Sequence, residues 1–149
     1  MMTRRNLVIA AAGATLLVAA MVVGDVLIVT DEERLEDFSD AIAGTIDHGW
    51  VTNCLKYVDP ARQSVTVEAR GSSYSYGRED GGRLTEDAHL RLSPFYGTNL
   101  HLMGRTIEVD GDKARVVLHT FSRQGGRATI DLDMKKRGED WLVAYVKVQ

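Results

Sequence analysis

The chain has 149 residues, with 18 Lys+Arg against 21 Asp+Glu, a net charge of −3 and a single cysteine. One cysteine excludes an internal disulfide, and an acidic balance argues against a surface built to hold nucleic-acid phosphates. Nothing in the composition points to a metal or an organic cofactor. There is no phosphate-cradling glycine loop, nucleophile elbow or dinucleotide fingerprint.

Thr3-Arg4-Arg5-Asn6 leads into an apolar run from Leu7 to Val29, interrupted by one charge, Asp25, and closed by Asp31-Glu32-Glu33. A membrane helix needs about 20 apolar residues, and arginines before it are retained on the cytoplasmic side. Residues 1–30 are therefore expected to form a transmembrane signal anchor, with residues 7–29 in the bilayer and residues 31–149 as one domain outside the cytoplasm. The charge pattern fits a bacterial inner membrane crossed once, with the C-terminal domain in the periplasm or outside the cell. A cleaved signal peptide is the alternative, with small residues at Ala20 or Gly24 to suit a peptidase; the domain would then be periplasmic or secreted. Arg4-Arg5 lacks the Phe-Leu-Lys continuation of a twin-arginine signal and reads as an ordinary basic flank.

Thr30-Asp31-Glu32-Glu33 has the form of a capping box, so a helix is expected to start there. Leu35, Phe38, Ile42 and Ile46 form one apolar stripe. Gly44 and Gly49 weaken it, and Trp50, Cys54, Leu55 and Val58 continue to Asp59-Pro60, as one bent helix or two. Gln63–Ala69 alternates as a half-buried strand. Residues 71–77 extend it or form a loop, and Glu79-Asp80-Gly81-Gly82 reads as loop. A short helix is expected from Thr85 through Leu92, although the Leu90/Leu92 alternation also suits a strand. The last third reads as four strands, near 100–109, 113–122, 127–136 and 141–148, joined by short turns such as Asp110-Gly111. Helices followed by an antiparallel meander give an α+β fold.

The order of elements, the Tyr57-Val58-Asp59-Pro60 helix end, the Ile107–Val116 hairpin around Asp110-Gly111-Asp112 and the final Trp141-Leu142-Val143 strand resemble the nuclear transport factor 2-like superfamily, also called SnoaL-like or cystatin-like. The resemblance covers residues 31–149. It implies N-terminal helices packed on a strongly curved, mainly antiparallel sheet, a cone with a pocket at its open end. The superfamily includes isomerases, dehydratases, cyclases and binding modules, and no catalytic motif of it can be carried over residue by residue.

His119 is the candidate catalytic residue, a general base if its face of the strand looks into the cone and a solvated side chain if the other face does. Trp50, Tyr57, Tyr96, Phe121 and Tyr145 are candidate walls of an apolar ligand pocket. Asp131 and Asp133 could share a proton or a metal, against the plainer reading of a solvated sheet face. The four histidines lie far apart, without zinc-motif spacing. Cys54 falls on an apolar stripe and reads as a small core residue. Val117, Phe121, Val143 and Tyr145 would form an apolar patch for a homodimer through the sheet face. Three functions follow. The first is a non-enzymatic envelope domain that binds a small apolar ligand or a partner protein. The second is an exported isomerase or dehydratase that uses the cone pocket, and the third is an inner-membrane assembly scaffold. Nucleic acid is not an expected partner.

Overall fold

Helix α1 (Asp31–Ile42) begins directly after Thr30 and buries Leu35, Phe38 and Ile42, the stripe expected from the sequence. The structure is a computed structural model that describes residues 29–149. Among the described residues no helix is long and apolar enough to cross a membrane; the expected anchor over residues 7–29 lies outside them, apart from Val29.

The helical region is two helices. Gly44 has φ +124, a conformation that residues with side chains rarely adopt, and the chain leaves α1 there as strand β1 (Gly44–Thr45). Ile46 stays buried but is held by backbone bonds to Thr98 and Gly97. Asp47 then caps helix α2 (His48–Cys54) by accepting a 2.7 Å bond from the Trp50 amide. The Trp50 indole N–H reaches back to the Ile42 carbonyl at 3.1 Å, satisfying one of the unpaired acceptors at the end of α1. A 3-10 turn (Leu55–Tyr57) ends the segment before Pro60.

Strands β2 (Val65–Ala69) and β3 (Ser72–Tyr76) form a hairpin, which resolves the open reading of residues 71–77. Its two-residue turn holds Arg70 at φ 51 and Gly71 at φ 78. Helix α3 (Gly81–Leu92) starts four residues earlier than expected. Glycines are tolerable in a first turn, where helical hydrogen bonding is incomplete anyway, and Leu84 anchors that turn in the core. A second 3-10 turn (Ser93–Phe95) leads to strands β4 (Asn99–Asp110), β5 (Lys113–Ser122), β6 (Gly126–Arg137) and β7 (Asp140–Val148), within two residues of the expected meander.

The sheet has seven strands in the order β1-β4-β5-β6-β7-β2-β3, antiparallel except for the parallel β7–β2 pair. Register shifts at Leu102/Gly104 and Asp133/Met134 mark the two bulges, the local device that bends a sheet. The inner face carries Ala114, Val116, Leu118, Leu132, Met134, Trp141 and Val143 against Leu35, Phe38, Ile42 and Leu84 from the helices. Asp31 fastens the start of α1 to the sheet. It accepts a 3.0 Å bond from the Trp141 indole and pairs with Lys136 at 2.9 Å. Arg105 on β4 ties the far half of α1 through Asp40 at 2.6 Å and Glu36 at 3.7 Å.

Candidate functional site

Strand β5 decides the fate of His119. Ala114, Val116, Leu118, Thr120 and Ser122 are buried on the inner face, so Arg115, His119 and Phe121 stand exposed on the outer one. His119 is therefore solvent-facing, its Nδ1 3.3 Å from the Thr129 hydroxyl, and among the described residues no acidic or tyrosine side chain bonds to it. This removes the premise of a general base inside the cone. The alternation of a strand forces the choice: the apolar set takes the core, and a side chain one residue away must take the other face.

The five aromatic candidates do not meet. Trp50 packs half-buried on the core beside α1, and Tyr57 lies edge-on to Phe38 with ring centroids 4.7 Å apart. Burial, with Asp37 nearby, raises the Tyr57 phenol above its ordinary range. Tyr96 is exposed on the α3–β4 connection, its hydroxyl 3.1 Å from His89 Nδ1. Phe121 and Tyr145 are on the outer face. The Tyr145 hydroxyl donates to Glu68 at 2.5 Å, a bond that raises its pKa. Val143 is buried inside at 2% exposure, so the apolar patch drawn from Val117, Phe121, Val143 and Tyr145 loses one member to the core. The bulge at Asp133/Met134 places Val143 opposite Met134 and Tyr145 opposite Asp133.

The interior commits its polar atoms to the fold. Ser39 donates to the Leu35 carbonyl at 2.7 Å, Thr120 to the Ala128 carbonyl at 3.2 Å, and Tyr76 to Asp87 at 2.8 Å. Among the described residues no buried side-chain nitrogen or oxygen is left without a partner. Burial pushes the Cys54 thiol up to about 12, which makes it a packing residue and not a nucleophile.

Two clefts open on the strands. One, of about 420 Å³, is lined by Glu108, Val109, Asp110, Lys113, Ala114, Arg115, Asp133, Met134 and Lys135. The other, of about 330 Å³, is lined by Met103, His119, Thr120, Arg127, Ala128, Thr129 and Gln149. Neither has a helix residue in its wall, so neither is the pocket between helices and sheet that the cone resemblance implies. Asp131 is held by Arg115 through two bonds of 3.1 and 2.7 Å, which lower its carboxyl below the ordinary range; it is a cross-strand ion-pair partner. The fold also brings together two residues that the sequence left apart. His48 and His89 stack with ring centroids 4.0 Å apart and planes at 20°. Stacked rings direct their in-plane lone pairs away from any shared point, and among the described residues no cluster of three metal-ligating side chains exists.

No protein-family model matches the chain, and no curated protein matches it. Solved structures do. A protein of Kribbella flavida matches with a TM-score of 0.60 at 14% identity, over 80% of this chain and 89% of that one. A protein of unknown function with a cystatin-like fold from Nostoc punctiforme matches with a TM-score of 0.53 at 16% identity, over 82% and 93%. A protein of Shewanella frigidimarina, provisionally assigned as a ketosteroid isomerase, matches with a TM-score of 0.50 at 14% identity, over 69% and 81%. At these identities the likeness shows the fold alone, helices on a curved sheet, an arrangement described as cystatin-like in the Nostoc protein.

Proposed function

We propose that residues 31–149 form a membrane-tethered binding module of the bacterial envelope that engages a partner protein, with the apolar segment 7–29 as its anchor. The observation that carries this reading is the interior. Among the described residues, helices and inner sheet face meet as apolar side chains, each buried side-chain nitrogen or oxygen has a partner, and the two clefts described above lie on the strands. A small-ligand site or an isomerase site needs an apolar cavity with a few convergent polar groups. An assembly scaffold is the same reading with the partner part of a larger complex.

The test uses the full chain in native membranes. Protease added from outside the cytoplasm should digest residues 31–149 of a membrane-bound chain that retains its N-terminus. Photo-crosslinking from exposed sheet positions should give one discrete heavier species. A processed, unanchored chain would overturn the tether. A purified chain that carries an apolar small molecule in native mass spectrometry, or that isomerises a β,γ-unsaturated ketone, would overturn the partner reading.

A further inference from the structure

The outer face of the sheet divides into halves with opposite electrostatics. Its lower half alternates charges across strands. Arg115 is bonded to Asp131, and Lys147 lies 3.8 Å from Glu68, which also accepts from Tyr145. The upper half has two cross-strand rows, His101–Phe121–Arg127 and Gly104–His119–Thr129, with Met103 in the bulge between them. No Asp or Glu side chain stands in these rows, the second of which continues to Gln149, paired through its backbone with Thr129. Met103 is 65% and Phe121 36% exposed, and Arg127 stands exposed beside Phe121. Arg123, in the β5–β6 turn, is exposed too. Neither arginine takes part in any of the eight ion pairs found among the described residues. Apolar contact area beside unneutralised guanidinium groups is the composition of a binding hot spot, and it stands out on a chain whose net charge is −3.

Resting on the partner-binding reading above, we propose that this surface docks a short acidic segment of the partner, carboxylates on Arg127 and Arg123 and one apolar side chain on Phe121 and Met103. The neighbouring cleft of about 330 Å³, between Met103, His119 and Arg127, has room for one such side chain. The occupant is short because the same sheet face continues into Asp131, Asp133, Glu108 and Glu68. An extended polyanion, whether an anionic bilayer or a nucleic acid, would be repelled there. A second copy of the chain, packed face to face, would bring the unpaired arginines of both copies onto one interface.

The test is fluorescence anisotropy with the full chain in phosphatidylcholine nanodiscs. The probe is a labelled peptide with Phe among Glu residues, and the control is the same peptide with Gln for Glu. Binding is expected to weaken with added salt and to require the Glu residues. It should drop by about tenfold or more in Arg127→Glu and in Phe121→Ser. Lys147→Gln, on the lower half of the same face, should leave it within about twofold. All three positions are outside the core, and a thermal melt confirms the fold of each variant. No binding, equal binding of the Gln peptide, or indifference to Arg127→Glu overturns the proposal. So does capture of phosphatidylserine nanodiscs or single-stranded RNA in place of the peptide, or a dimer that Phe121→Ser dissociates. A native crosslinked complex that survives Arg127→Glu while peptide binding fails would leave the module reading intact and remove only this surface.

Discussion

Asp31 sits at the start of α1 with its carboxylate between the Lys136 ammonium and the Trp141 indole N–H, and those two hydrogen bonds, the lysine's first, hold its pKa below the unfolded value of 3.8. A depressed carboxylate contributes stability that is present above pH 3.8 and is lost as pH falls through its folded value. Asp31→Asn should therefore lower stability at neutral pH by about 1 kcal/mol, a modest figure because the side chain is roughly one-third exposed. It should also flatten the acid limb of the stability–pH curve, measured by urea unfolding between pH 7 and pH 3. Arg70 offers the opposite case. It holds φ 51 in a tight turn, and its guanidinium lies 6.0 Å from the Phe95 ring, a distant cation–π contact. Asn tolerates left-handed backbone better, so Arg70→Asn should raise stability by about 0.5 kcal/mol, read as a rise in the denaturation midpoint.

At the scale of the element, β5 is the clearest test of facing. Leu118 has no exposed surface and lies between helices and sheet, whereas its neighbour Val117 is half-buried on the other face. Leu118→Ala should cost about 2–5 kcal/mol and Val117→Ala much less, both read from thermal or urea unfolding. The same strand shows what alternation can and cannot tell. The two faces were legible in the residues; which one is inside depended on the helices, because Ala-Val-Leu-Thr and Arg-Val-His-Phe each carry apolar groups. Helix α3 shows the converse limit. Gly81-Gly82 looks like loop locally, and only the burial of Leu84 and the Tyr76–Asp87 bond draw that turn into the helix.

For the whole described domain, one apolar core joins helices and sheet, so the layers should unfold together. Trp50 reports on the helical layer and Trp141 on the sheet. Trp50→Phe and Trp141→Phe variants should give coincident fluorescence transitions, each matching far-UV circular dichroism; a helical layer that melts first would contradict a single core. Sequence alone determined the α+β class, the four-strand meander and its turns, because hydrophobic period and Asp-Gly or Gly turn chemistry are local signals. The start of a helix at Asp31 and the core role of Leu35, Phe38 and Cys54 were likewise readable from the local sequence and helical spacing. Tertiary structure alone decided which side of the sheet His119, Phe121 and Tyr145 occupy, that Val143 turns inward past a bulge, and that His48 and His89 meet. It also decided that Arg127 stands opposite Phe121 and shares a cleft with Met103. Those facts depend on the pairing of residues far apart in the chain. A strand's own period is symmetric between its two faces, so only the partner it packs against can break the tie.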